Sequence, residues 1–303
     1  MSLIDRVKHR LMWMYLDVVD PLPGTMRDFA WKVRWRMRND RNPLFVTIQD
    51  KYGVKEYARQ KGVRTAETYF VSDEPESIPF DSLPERYFIK ASHGCKWNIY
   101  CDNKTFYYYG DGEDFIGRRN YASHEISREQ VIEYCRSWLG RKYSKRQWAY
   151  RHIVPRIMVE EVLEQRGGGE LVDYRCFTFN GKVRAIYVDS PTASVHLQRK
   201  FVDVNWMELP VNNPKETLHH VLPEKPDTLD EMIAVSEKLS HGLDFIRVDL
   251  YDTTRGVILG EMTVYHNGGE PMPTPDKSFN RWLGEQWVLP QIKESGKTIV
   301  THT

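Results

Sequence analysis

An arginine and two carboxylates interrupt the apolar run FIRVDLYDTTRGVILGEMTVYHNGG, Phe245 to Gly269. Read with the two-residue period of a strand, Ile246, Val248 and Leu250 share one face, and Arg247, Asp249 and Tyr251 share the other. Asp252 to Gly256 is a turn-forming cluster. Val257 to Val264 is therefore expected to return antiparallel, with Ile258, Met262 and Val264 on one side and Glu261 and Thr263 on the opposite one. A turn centred near Arg255 brings Asp249 across from Glu261. Like charges facing each other across a strand pair are destabilising, and strands this apolar do not leave both carboxylates in bulk water. Something positive belongs between them. Arg247 or another basic residue can supply it as a structural ion cluster. The alternative is a hard cation, Mg2+ or Mn2+, which takes one or two carboxylates from the protein and leaves its other positions to water and phosphate oxygens.

The cation reading calls for a phosphate-binding element elsewhere in the chain. YFIKASHGCKWNIYC, starting at Tyr87, reads as a strand ending in Lys90, a turn containing His93-Gly94, and a second strand. A lysine supplies a point charge for phosphate, and turn N–H groups cradle its oxygens. The same pattern describes any β-hairpin, with Lys90 snorkelling at a sheet edge and His93 a satisfied structural histidine. PRIMVEEVLE, starting at Pro155, reads as a strand entering Glu160-Glu161, then apolar Val162-Leu163 and polar Glu164. A strand that becomes a hinge can offer backbone groups to a purine edge and an acidic side chain to ribose hydroxyls. The bland alternative is a solvated acidic strand end.

The elements that must position these residues are legible from pattern. DKYGVKEYARQKG suggests a helix capped by Asp50, with Tyr52, Val54, Tyr57 and Ala58 along one stripe and Gly62 as its stop. SDEPESIPFDSLPE reads as a surface connection. Ser127 with Gln130 makes a capping box for a helix to Leu139 lined by Val131, Cys135 and Trp138, and Thr228 with Glu231 repeats the device before Gly242. LVDYRCFTF and KVRAIYVDS flank Asn180-Gly181, a hairpin signal. Helices mixed with antiparallel hairpins imply an α+β architecture.

Bulk properties narrow the class. The 303 residues, 41% hydrophobic and 28% charged with mean hydropathy −0.59, suit a globular protein with a large core. A net charge of +1 argues against nucleic acid as a partner. The longest apolar run near the N-terminus, LMWMYL, falls far short of the roughly 20 residues of a membrane span and is followed by Asp17 with no cleavage site, so no signal peptide is expected. Cysteines 95, 101, 135 and 176 have no zinc spacing and read as reduced thiols of a cytoplasmic protein. Residues 1–41 carry nine Lys or Arg against five Asp, interleaved with Trp13, Trp31 and Trp35. That mixture suits a membrane-surface or glycan-machinery contact. The simpler expectation is a helical extension packing its aromatics on the main domain with its arginines in water.

In order, a lysine strand with a glycine turn, an apolar strand with an acidic hinge, a charged hairpin, and Arg-x-Asp with Glu on a closing hairpin resemble the ATP-grasp superfamily. The branch most similar is the TupA-like (teichuronopeptide biosynthesis) family associated with polysaccharide biosynthesis. The landmarks are DKYGVKEYARQKG, FIKASHG, PRIMVEEVL, DYRCFTFNGKVRAIYVDS and RVDLY…GEMTVY, within a stretch from Arg41 to Trp287. The resemblance implies an ATP-grasp fold in which two α+β subdomains with antiparallel sheets clamp ATP, after a basic helical N-terminal extension. It suggests an extension at 1–43, a helix and linker at 44–85, a phosphate-lid subdomain at 86–158 and an adenine-hinge and metal subdomain at 159–303. Lys90 would hold the phosphates under a lid of His93, Gly94, Trp97 and Asn98. Glu160, Glu161, Val162 and Leu163 would frame the adenine, Glu164 would take the ribose, and Asp173 and Arg175 would point into the cleft. Asp249, Glu261 and Thr263 would hold Mg2+ or Mn2+, and Arg247 would steady the transferred phosphoryl group. Asp189, Arg199 and Lys200 would face the acceptor, with Arg199 in a catalytic part.

Two positions depart from the family's pattern. Cys95-Lys96 follow His93-Gly94 where Ser-Gly is usual, and Thr263 stands where many relatives have Asn. The implied reaction is ATP-dependent ligation of a carboxylate to an amine through an acyl phosphate. It relies on positioning and charge and on no protein nucleophile. The implied substrates are an amino acid and a sugar, uronic acid or nucleotide-sugar, for surface polysaccharide or capsule. A kinase acting on a sugar alcohol, a non-catalytic docking module and a metal-dependent nuclease are the alternatives. The near-neutral charge disfavours the last.

Overall fold

A computed structural model describes residues 3–20, 28–108, 124–190, 198–211, 222–270, 277–292 and 298–299. The chain begins with helices α1 (Leu3–Val19), α2 (Phe29–Asn39), α3 (Leu44–Gln49) and α4 (Gly53–Gln60). Strands β1 (Thr68–Ser72), β2 (Arg86–Ala91), β3 (Asn98–Asp102), β4 (Thr105–Tyr108) and β5 (His124–Ile126) follow, then α5 (Arg128–Leu139) and β6 (Ile157–Glu161). They assemble into an antiparallel six-stranded sheet ordered β1-β6-β2-β3-β4-β5. A second antiparallel sheet, ordered β11-β10-β7-β8-β9, is built from β7 (Asp173–Phe179), β8 (Lys182–Ser190), β9 (Gln198–Val202), β10 (Phe245–Thr253) and β11 (Gly256–Thr263). Helix α6 (Leu229–Ser240) packs on β7, β8 and β10, and α7 (Lys277–Glu285) packs on α2. The expected α+β class holds.

Each sheet has its own apolar core. Ile89, Ile99, Val131, Cys135, Trp138, Ile157 and Val159 close the first sheet against α5. Cys176, Val188, Met232, Leu239, Val248 and Leu250 belong to the core of the second, together with Phe29, Phe177, Phe245 and Trp287. The Ser127–Gln130 capping box forms in full, with Ser127 N–H donating to Gln130 Oε1 at 2.8 Å. Asn180 and Gly181 take the positive φ angles, 50° and 74°, that their hairpin turn requires.

Several expectations are corrected. The box at Thr228 does not form: its hydroxyl caps nothing, and Glu231 pairs with Arg64 at 2.5 Å. The connection after β1 is not purely superficial, because Ile78 and Phe80 are buried in the first core. Arginines of the N-terminal segment do not all lie in water. Arg34 and Arg36 are buried, Arg34 on Asp20 and Arg36 on Asp244, because α2 is part of the second core. The boundary set between residues 158 and 159 falls inside β6, which pairs with both β1 and β2 in the first sheet.

One further shift bears on the site. Asp249 pairs with Glu261 and Leu250 with Leu259, so Gly260 is an extra residue, a bulge. A Cβ there would stand 2.4 Å from the Tyr251 ring. The bulge reverses the alternation, so Ile258, expected beside Met262, instead pairs with Tyr251 on the opposite face.

Candidate functional site: two charge clusters on two sheets

On the first sheet, Lys90 and Asn98 are cross-strand partners, and Lys90 is likewise opposite Met158 on β6. Their neighbours Ile89, Ile99, Ile157 and Val159 point into the core, so Lys90, Asn98, Met158 and Glu160 share the other face. Glu160 is 9% exposed. Its carboxylate accepts from Lys90 Nζ on one oxygen and stands 2.7 Å from Lys55 Nζ on the other. Burial pushes the Glu160 carboxyl up, but the charges of Lys90 and Lys55 outweigh it and hold it at about 2. Lys55 comes from α4 and also donates to Ala66 O at 2.9 Å and Thr68 Oγ1 at 3.0 Å. Burial lowers its pKa against the opposing pull of Glu160.

The sequence reading missed Lys55. By pattern DKYGVKEYARQKG is a helix, in which a lysine between apolar positions is unremarkable. Only tertiary packing brings the amine to Glu160: α4 lies against β11, and the Lys55 side chain reaches Thr68 of β1 and Glu160 of β6.

On the second sheet, Arg247 occupies the space between the carboxylates. Its Nε donates to Asp249 Oδ1 at 2.7 Å, and Nη2 reaches both Asp249 Oδ2 at 2.5 Å and Glu261 Oε1 at 2.8 Å. Nη1 lies 3.1 Å from His266 Nδ1, and burial, with Arg247 and Arg175 nearby, lowers the His266 pKa far enough to leave that ring neutral. Thr263 Oγ1 is 3.2 Å from Glu261 Oε1. The positive group in this structure is thus the arginine, the first of the two alternatives for this hairpin.

The carboxylates are unequal. The Asp249 side chain is 2% exposed, and burial raises its pKa, aided by Asp173 and Glu261 and opposed by Arg247. The Glu261 side chain is 45% exposed, and although enclosure raises its pKa, Arg247 and Lys51 outweigh that and keep it ionised. Arg175 continues the network to Asp173 Oδ2 at 2.7 Å and Asp189 Oδ2 at 3.0 Å.

The donor set fits a hard divalent cation: two carboxylates and a hydroxyl, all oxygen, on adjacent strands. No group of three His, Cys, Asp or Glu side chains suited to a metal occurs among the described residues, so water and phosphate would complete the shell. Two buried oxygens on these faces, Asn98 Oδ1 and Asp173 Oδ1, find no hydrogen-bond partner among the described residues, which leaves them available to a ligand. Met158 and Ile258 are fully buried yet belong to neither core, one on each sheet. The bulge at Gly260 supplies the second of these apolar walls.

The hinge and the lid differ in part from expectation. Glu161 Oε2 accepts from Glu67 N at 2.9 Å and from Arg255, tying the hinge to the turn between β10 and β11. Glu164 pairs with Arg86 at 2.5 Å on the surface. Val162, Leu163 and these acids line a cavity of about 360 Å³ that reaches neither Lys90 nor Asp249. His93 is 3% exposed, with Nε2 at 3.0 Å from the Trp138 carbonyl, so its ring anchors the turn to α5, the structural alternative for this residue. Trp97 folds back on Gly94, where a Cβ would meet its ring at 2.3 Å. Lys51 Nζ donates to Gly94 O, and the charge of Lys51 also acts on Glu261. Lys200 pairs across from core residue Val188, on the opposite sheet face from Asp189, and binds Glu208. Arg199 is paired with Asp189 in register, and its side chain lies outside the described residues.

A family model described as TupA-like ATP-grasp matches residues 31–288. Among solved structures, the chain is similar to the D-alanine–D-alanine ligase of Bacillus anthracis complexed with ATP, at 13% identity over 72% of this chain and 54% of that one, TM-score 0.37. It is similar to the D-alanine–D-alanine ligase of Helicobacter pylori at 12% identity, 80% and 58% coverage and TM-score 0.40. It is also similar to the ATP-grasp ligase PsnB complexed with minimal precursor, Mg and ADP, at 10% identity, 80% and 60% coverage and TM-score 0.38. The chain spans between about half and three fifths of the length of these solved chains. A search of curated proteins finds no match.

Proposed function

This chain belongs to the TupA-like ATP-grasp family, and from that premise we propose that it is an ATP-dependent ligase that joins a carboxylate to an amine through an acyl phosphate. The observation that carries the reading is the pair of charge clusters, Lys55–Glu160–Lys90 on one sheet and Arg247–Asp249–Glu261 on the other. Each is a set of cations neutralised by protein carboxylates, which a magnesium triphosphate can replace.

In this reading the ATP phosphates draw Lys90 and Lys55 away from Glu160. The purine lies between Met158 and Ile258, with hinge backbone from Glu161 to Leu163 at its edge, and Glu164 and Asp173 serve the ribose and the cleft. His93, Gly94, Trp97 and Asn98 form the turn above the phosphates, where backbone N–H groups do the binding. Asp249 and Glu261, with Thr263 beside them, would hold Mg2+, which when bound would neutralise charge on the phosphates. Arg247, released from the two carboxylates, turns its guanidinium to the γ-phosphoryl group. A substrate carboxylate oxygen then attacks the γ-phosphorus, the bond to the ADP oxygen breaks, and the amine displaces phosphate from the acyl carbon. The side chains' work is charge placement and exclusion of water. For the substrates we propose an amino acid and a sugar, uronic acid or nucleotide-sugar of surface polysaccharide, with Asp189, Arg175 and Arg199 on the acceptor side. The support is the family's association alone.

Thermal melting with ATP, with and without Mg2+, tests the nucleotide site in the wild type and in Asp249→Asn and Lys90→Ala. A Mg2+-dependent rise that both variants lose is expected, since a ligand binding only the native state raises Tm by mass action. Absence of any shift at millimolar ATP with Mg2+ sinks the reading. Once binding is established, amino acids paired with uronic acids are scored for ADP and free phosphate. Both products together support the ligase, and ADP without phosphate makes the protein a kinase.

A further inference from the structure

Helix α1 has two apolar faces, and the fold uses one of them. Trp13 and Leu16, 5% and 6% exposed, sit in the second core. Around them, Arg146 stacks over the Trp13 ring at 4.1 Å, Arg38 binds Asp17 at 2.7 Å, and His9 meets Glu270 at 2.9 Å. These contacts hold the helix by one side and set the direction of the other.

The other side carries Ile4, Val7, Leu11, Met14 and Val18, spaced by alternate steps of three and four and therefore on one stripe. Their exposures are 66%, 50%, 58%, 57% and 71%, and Tyr15 beside them is 65% exposed. Lys8 borders the stripe on one side and Arg10, then Arg6, on the other, all three exposed. The acid on that second rim, Asp17, is already bound by Arg38 and Arg146.

We propose that α1 is a membrane-surface anchor, its apolar stripe set into the headgroup region of an anionic bilayer and its basic rims over the lipid phosphates. A large apolar stripe edged by cations is the pattern of a helix lying in the interface plane. No described helix is long and apolar enough to cross a membrane, so α1 lies on the surface and does not span it. Charge complementarity decides the occupant. An identical helix would repeat the cationic rims, whereas an anionic surface neutralises both. The stripe also covers about two heptads, short of the three or four that a coiled coil needs.

The test is sedimentation of the whole protein with vesicles of phosphatidylcholine alone and of phosphatidylcholine with an equal part of phosphatidylglycerol. Binding to the mixed vesicles, weakened by salt and reduced roughly tenfold or more on the neutral ones, is expected. Leu11→Glu and the double variant K8E/R10E should each lose roughly tenfold in partitioning. Their melting temperatures should stay within a degree or two, because these side chains touch no core. Absence of binding to the mixed vesicles overturns the proposal, as does equal binding to both kinds that Leu11→Glu leaves intact. A concentration-dependent dimer in light scattering that Leu11→Glu dissolves, without vesicle binding, also overturns it and assigns the stripe to a second copy of the chain. The experiment needs no nucleotide, so it stands or falls apart from the ligase reading.

Discussion

Glu160 is a nearly buried carboxylate held between two lysines, and its titration reports on that arrangement. Its folded pKa of about 2 lies below the roughly 4.3 of an unfolded chain. The stabilisation is therefore present in full above the unfolded value and is lost as pH falls from about 4.5 toward 2. Between about pH 5 and pH 3 the wild type should lose on the order of 2 kcal/mol that Glu160→Gln does not lose. Urea unfolding at both pH values measures this, and parallel losses in the two proteins would show that the lysines do not hold the carboxylate. Because Lys90 and Lys55 are also the proposed phosphate ligands, ATP with Mg2+ should shrink the same difference.

Among the elements, the two helix starts and the bulged hairpin make separate predictions. Ser127→Ala removes a formed capping box and should cost about 1 kcal/mol, whereas Thr228→Ala removes a hydroxyl that caps nothing and should cost a few tenths at most. Equal losses in denaturant titrations would refute the distinction. Gly260→Ala drives a methyl group into the Tyr251 ring and should destabilise by about 1–3 kcal/mol, an overpacking cost that falls once Tyr251→Ala makes room. A cost unchanged in the double variant would mean that the bulge backbone, not the ring, needs the glycine.

For the whole molecule, the N-terminal helices are part of the structure that presents the site. Arg36 is fully buried, with Nη2 at 2.5 Å from Asp244 Oδ1, Nη1 donating to Phe245 O at 2.9 Å, and the guanidinium over Trp287 at 4.4 Å. Arg36→Ala leaves Asp244 buried without its cation and should cost on the order of 3–5 kcal/mol. A loss below about 1 kcal/mol would mean that α2 is dispensable to the second sheet. Since β10 begins beside this pair, the variant should weaken ATP binding with Mg2+ in step with its loss of stability.

Local pattern by itself determined the strand faces around Lys90 and Arg247, the capping box at Ser127, the turn at Asn180-Gly181 and the facing of Asp249 with Glu261. These depend on periods of two and 3.6 residues and on turn chemistry, energies that act between near neighbours along the chain. An isolated glycine in a strand is itself a bulge signal, so the reversal at Gly260 had a cue in the sequence that alternation alone passed over. Tertiary structure alone decided the rest. The carboxylate pair is filled by its own Arg247, Lys55 arrives from α4, and His93 turns to a carbonyl of α5. Lys55 and His93 meet partners on other elements, and Arg247 joins Asp249 of its own strand to Glu261 of the next, so the gain from neutralising a buried charge or satisfying a buried nitrogen depends on how strands and helices pack. The outward stripe on α1 follows the same logic. The sequence holds two apolar faces on that helix, and only the packing of Trp13 and Leu16 determines which one is left for a partner.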